Sequence, residues 1–193
     1  MIPFHESLRY DIPGLNPLST VIDVGAYEGN WGRLISERYS CRVYFYEPVP
    51  AFFAKMAFSL LNHPNRADME LRNLGVGAQT GQSVFSVKGD MSGPFADGTE
   101  QVTVNLIALR DVIGKEQIGC MKLNCEGSEF EILEALLDQG LAPRVEVLHV
   151  QSHPIVPDCQ ARWDRIKARL AETHELMWDE PWCWTGWKRK GLA

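Results

Sequence analysis

With 193 residues, 45% of them apolar and 23% charged, the chain is long enough to bury a core without disulfide or metal staples. Its net charge of -6 argues against nucleic acid as a partner, since phosphate binding needs clustered Lys and Arg. The longest apolar stretch, 51–61, is interrupted by Lys55 and Ser59 and is too short to cross a bilayer, so no membrane partner is expected.

Five cysteines, Cys41, Cys120, Cys125, Cys159 and Cys183, form no CxxC pair and leave one unmatched. Reduced thiols in a cytoplasmic protein are expected, with neither a disulfide framework nor a zinc site. Pro3, His5 and Glu6 after Met1 do not make a signal peptide.

Residues 1–18 carry Pro3, Pro13, Gly14 and Pro17 and read as an irregular lead-in with one short helix. Residues 19–193 read as the α/β core of one domain. Ser19–Val24 is the first expected strand, Asn30 caps a helix reaching about Arg38, and Arg42–Glu47 is the second strand. Pro50–Asn62 has helical spacing of Phe52, Met56, Ser59 and Leu60. Met69–Leu74 reads as a third strand ending at Gly75-Val76-Gly77. Ser83–Val87 and Gln101–Asn105 are extended segments around a mobile loop, Gly89–Gly98.

A short helix over Ile107–Ile113 precedes a strand, Ile118–Cys125, and a helix, Ser128–Gln139, closed by Gly140. Arg144–Gln151 is a buried strand and Pro157–Thr173 an amphipathic helix with Trp163, Ile166 and Leu170 on one face. Glu175–Trp187 reads as two strands turning near Asp179-Glu180-Pro181, with Trp178, Trp182, Trp184 and Trp187 packing them or walling an acceptor. Lys188-Arg189-Lys190 is expected to be a solvated tail. Alternating strands and helices make the class α/β with a mostly parallel sheet.

The first two strands each end in an acid, Asp23 and Glu47, at the carboxyl edge where open α/β sheets bind nucleotide-like ligands. The turn Gly25-Ala26-Tyr27-Glu28-Gly29 brings backbone amides close to a ligand, and Glu47, before Pro48, can accept both hydroxyls of a ribose. The dinucleotide fingerprint G-x-G-x-x-G lacks its middle glycine here, so a pyrophosphate would find a poorer cradle. The spacing suits a phosphate-free ligand, S-adenosylmethionine, better.

At these blocks the chain resembles the FkbM family of S-adenosylmethionine-dependent methyltransferases. The matching residues are Val21 through Gly29, Val43 through Phe52, Asn73 through Gly81, and Met121 through Leu133, the last holding a Lys-x-x-x-Glu-Gly-x-Glu pattern. The resemblance implies a class I methyltransferase fold with a seven-stranded sheet, helices on both faces and a C-terminal antiparallel hairpin. It implies methyl transfer to a hydroxyl of a sugar or secondary metabolite. By the same resemblance Asp23, Gly25 and Gly29 line the methionine end, Glu47 holds the ribose, and Asn73, Gly75 and Val76 flank the adenine. The chain departs from the family at Tyr27, where Asn is usual, at Asn124, where Asp is usual, and around Gln151, where Glu often precedes His-Pro.

Candidate bases are Glu126 and His153, each at the end of an expected strand, and Asn124 is placed to orient an acceptor hydroxyl. Glu126 could instead cap the helix at Ser128, His153 could be a loop residue, and His149 reads as a satisfied core histidine. With amides at 124 and 151, no metal is expected. Two other readings stay open: a cofactor-binding protein without transfer activity, and a nicotinamide-dependent oxidoreductase.

Overall fold

In the computed structural model, which describes residues 4–89 and 91–192, strands and helices alternate as the patterning implies. The first three residues of the lead-in and Asp90 of the expected mobile loop lie outside the described residues. The lead-in holds one short 3-10 turn, Glu6–Arg9. Then come β1 (Thr20–Val24), α1 (Asn30–Tyr39), β2 (Arg42–Tyr46), α2 (Pro50–Ser59) and β3 (Met69–Arg72). The second half holds β4 (Gly75–Gly77), β5 (Gly81–Val87), β6 (Glu100–Ala108), α3 (Leu109–Ile113), β7 (Ile118–Leu123), α4 (Glu129–Asp138), β8 (Val145–Gln151), α5 (Cys159–Thr173), β9 (His174–Glu180) and β10 (Trp184–Arg189).

Seven strands form one sheet in the order β3-β2-β1-β7-β8-β10-β9. All neighbours from β3 to β8 are parallel, and β10 runs antiparallel between β8 and β9. The chain winds outward from β1 to β3, then returns to β7 and winds the other way. The gap between the β1 and β7 tips is therefore a topological switch point, where such sheets leave a crevice.

Alternation along the strands sorts two cores. Ile22, Val24, Met121, Leu123, Leu148 and Val150 face α3, α4 and α5. Val21, Val43, Phe45, Cys120 and Val147 face α1, α2 and the lead-in residue Ile12. With both faces covered, every residue of β7 is buried, Lys122 included. Asp23 and Lys122 occupy matched positions on adjacent strands and share the α1 face.

Several expectations change. Gly75–Gly77 is not the end of the third strand but β4, which joins β6 and β5 in a separate three-stranded sheet. Ile107 belongs to β6, and α3 starts at Leu109. The turn between the last strands lies at 181–183, two to three residues later than read, so Asp179 and Glu180 are in β9. Lys188 and Arg189 are not a solvated tail: both sit in β10, paired with Glu175 and Glu146. The helix α2 stops at Ser59 rather than Asn62, with Leu60 as its C-cap. Finally, α1 is capped by Gly29, in the left-handed region at φ 80°, and not by Asn30.

Trp178, Trp184 and Trp187 are buried and Trp182 packs against the α4 side, so this group stabilises the terminal strands. All five cysteines are free. His149 is a core residue, and among the described residues its ring has no well-formed hydrogen bond, the Arg9 backbone offering only a weak one. Burial pushes it down to about 3, and its ring lies 5.0 Å from that of Trp178.

Candidate active site

The switch point opens into a cavity of about 340 Å³. Its floor is the tips of β1, β2 and β7, with Gly25, Tyr27, Glu47, Pro48, Asn124 and Glu126. Its roof is the small sheet, with Gly75, Val76, Ser83, Phe85 and Leu106, and the loop after β5, with Ser92 and Phe95. The roof is fastened by its own small core, Val49, Phe52, Phe85 and Val104.

Glu47 is 4% exposed and faces this space. Its two oxygens accept the amides of Tyr27 (2.7 Å) and Val49 (2.8 Å). A carboxylate has about four lone-pair sites, so two are left for a ligand. Burial pushes Glu47 up to about 7, against the pull of those two amides and of Lys122. The side chain of Asn73 does not reach the cavity. It clamps the strand tip by donating to the Glu47 and Pro48 carbonyls at 2.9 and 3.1 Å.

Asp23, assigned to the ligand, instead lies fully buried beneath the turn. One oxygen takes Lys122 Nζ at 2.9 Å and the other takes the Gly32 amide at 3.2 Å, in the first turn of α1. Lys122 Nζ also donates to the Gly25 carbonyl at 2.8 Å. This buried pair ties β1, β7, the turn and the helix start together. The signal was present in the sequence, since a lysine in an otherwise apolar strand needs a buried acid. Ala26 is buried in the α1 core and Gly29 packs on α2, where a Cβ would meet Met56 at 2.8 Å. Gly25 has φ 72°, and a Cβ on it would lie 1.9 Å from the Asn124 carbonyl, so only glycine lets the β1 and β7 tips meet. Of the residues assigned to the cofactor, Gly25, Tyr27, Glu47, Pro48, Gly75 and Val76 line the cavity; Asp23, Ala26, Gly29 and Asn73 support it.

Glu126 and Asn124 also line the cavity, and among the described residues Asn124 Oδ1 is buried without a partner. Glu126 does not cap α4. It sits at φ 47° and meets His153 Nε2 at 3.1 Å. His153 stands behind it, and Gln151 does not line the cavity. Although burial works against its charge, hydrogen bonds to Glu126 and Glu129 raise His153 to about 9. The two acids at its ring nitrogens favour the charged ring at neutral pH. Glu129, overlooked in the sequence except as part of a motif, completes the cluster. The expected mobile loop folds back on this group: a Cβ on Gly93 would lie 2.9 Å from Glu126 Cβ, and Phe95 covers Gly127.

The methyltransferase FkbM domain family matches residues 23–177, well over half of the chain. The chain belongs to that family. A crystal structure of an FkbM methyltransferase from Methylobacillus flagellatus KT superposes with a TM-score of 0.62 at 15% identity, over 90% of this chain. This chain spans 44% of that protein's length. A putative methyltransferase from Streptococcus mutans in complex with SAH gives 0.58 at 14% identity, over 98% of this chain and 99% of that one. An rRNA methylase from Streptococcus thermophilus gives 0.57 at 16%, over 98% and 97%. These likenesses show the class I methyltransferase fold. No curated protein matches the sequence.

Proposed function

We propose that this FkbM-family methyltransferase transfers the methyl group of S-adenosylmethionine to a hydroxyl of a small sugar or secondary metabolite. The carrying observation is that one cavity is lined by both a buried carboxylate, Glu47, and a second carboxylate, Glu126. The residues fit the cofactor: Glu47 keeps lone pairs for a ribose diol, and Asn124 Oδ1 is a buried acceptor lacking a donor. Gly25, Tyr27, Pro48, Gly75 and Val76 would enclose the adenosyl group. When bound, S-adenosylmethionine supplies an electrophilic methyl whose bond to sulfur breaks as the acceptor oxygen attacks, the electron pair staying on sulfur.

Glu126 takes the hydroxyl proton and releases it to water. Asn124 orients the hydroxyl and cannot itself accept the proton. Roof and floor hold the reactants in line, and alignment of that kind supplies about 7–11 kcal/mol in favourable cases. A positioned base adds about 10²–10⁴-fold.

Among the described residues, the charged side chains lining the cavity are Glu47, Glu126 and Glu131, all acids. That lining favours an uncharged or cationic acceptor and disfavours a phosphate backbone, although some structural neighbours are rRNA methyltransferases. We read residues 19–193 as one catalytic unit. A cytoplasmic setting suits its five free cysteines, and no helix among the described residues is long and apolar enough to cross a membrane.

A binding protein without transfer activity is the second reading, favoured by Asn124 and Gln151 in place of acids. Calorimetry with S-adenosylhomocysteine and with NAD tests the cofactor: binding of NAD alone overturns it. An acceptor screen with labelled methyl donor, read by mass spectrometry, tests transfer. Product formed only after Asn124→Asp with Gln151→Glu would mean that the natural chain is inactive.

A further inference from the structure

Behind the cavity wall lies a carboxylate with no part in the steps above. Glu129, the first residue of α4, is fully buried. It accepts the Gly127 amide on Oε2 at 2.9 Å, and on Oε1 the His153 amide at 2.8 Å and His153 Nδ1 at 3.0 Å. One side chain thus staples the β7–α4 turn to the chain leaving β8. His153 Nε2 then meets Glu126 Oε1 at 3.1 Å on the cavity side.

Both ring nitrogens therefore face carboxylate oxygens. A neutral imidazole carries one N–H and one lone pair, so it would set a lone pair against a carboxylate. An imidazolium donates from both nitrogens and satisfies both. Among the described residues, the charged groups within ion-pair distance of the ring are these two acids, Glu126 from the β7–α4 turn and Glu129 from α4. From the β9–β10 turn, Cys183 contributes its carbonyl, which takes the neighbouring Ser152 amide. Glu126 also needs restraint of its own, since its φ of 47° is one that side chains rarely adopt. The ring on one side and the Gly93 backbone on the other provide it.

We infer that Glu129 is a positioning residue for transfer: it holds His153 as an imidazolium, which fixes Glu126 in place on the wall of the cavity. His153 is the clamp and Glu126 the proton acceptor. The inference rests on reading this cavity as the transfer site, but its test needs no turnover.

The ring signals of His153 are followed by NMR against pH in the full chain, assigned by their loss in His153→Gln. Wild type should titrate near 9. Glu129→Gln should lower that midpoint so that proton affinity falls at least tenfold, with Glu129→Asp recovering part of it. Glu126→Gln should lower it as well, by removing the second acceptor. S-adenosylhomocysteine affinity should stay within twofold in Glu129→Gln, because Glu129 does not line the cavity. A wild-type midpoint at or below the ordinary histidine value, or one unmoved by Glu129→Gln, overturns the inference. If Glu129→Gln does not fold, the wild-type midpoint and Glu126→Gln decide it. Failure of S-adenosylhomocysteine to bind wild type would instead sink the functional reading and leave the titration standing.

Discussion

Glu47→Gln keeps the shape of a buried side chain while removing its charge, and its consequences can be worked from the site. In the unliganded fold Glu47 holds its proton up to about 7, against an ordinary 4.5, because burial disfavours the ion. Above about pH 7 it is ionised in both folded and unfolded chains, and below about 4.5 it is protonated in both. Between them the folded chain keeps a proton that the unfolded chain has lost, so stability falls as pH rises through this window. The 2.5-unit difference corresponds to about 3 kcal/mol of cost carried by the ionised fold at high pH.

On the proposed ribose assignment, hydroxyls donating to the ionised carboxylate would reverse this preference, so ligand binding would be favoured by deprotonation. Wild-type affinity for S-adenosylhomocysteine should then fall about thirtyfold between about pH 8.5 and pH 5.5, as the protonated fraction grows. Glu47→Gln should bind at least tenfold more weakly at about pH 8.5, about 1.4 kcal/mol, with a flat profile. Its thermal stability should lose the wild-type decline between pH 4.5 and 7. Calorimetry across pH reads the first effects and thermal unfolding the second. A flat wild-type binding profile, with unchanged affinity in Glu47→Gln, refutes the ribose assignment.

Lys122→Met should destabilise the fold by about 3–5 kcal/mol in urea unfolding, because it strands the buried Asp23 charge; a loss under 1 kcal/mol would show that the pair is dispensable. Gly25→Ala should abolish S-adenosylhomocysteine binding or soluble expression, since its Cβ meets the Asn124 carbonyl at 1.9 Å. Normal binding by that variant would mean that the strand tips can separate. The pairing of His153 stabilises the fold fully below about pH 6.5 and is lost as pH rises through about 9, at most about 3 kcal/mol. His153→Gln should remove this alkaline decline in unfolding free energy, and an unaltered decline would assign it to another group.

Much of this architecture could be read along the chain. The first two strands, their acid tips and the glycine turn follow from local patterning, because a strand buried on both faces must be almost wholly apolar until it reaches solvent at its end. The same logic failed at β4, where Gly-Val-Gly is too short for any period to show. It pairs with β6, about thirty residues away, and long-range pairing of that kind leaves no local trace. Glu47 was legible as an acid at the mouth of the cavity. Asp23 was legible as a support only through Lys122, far along the chain, since an acid at a strand tip by itself looks alike whether it points at the cavity or at a lysine beneath it.

What the sequence determined alone is the order of strands and helices, and the acids and glycines that the winding of a parallel sheet must bring to one edge. Which of those acids faces the cavity was decided only by the tertiary structure. Side-chain direction and burial depend on neighbours far along the chain: Lys122 turns Asp23 inward, while Glu129 and Glu126 bracket the ring of His153.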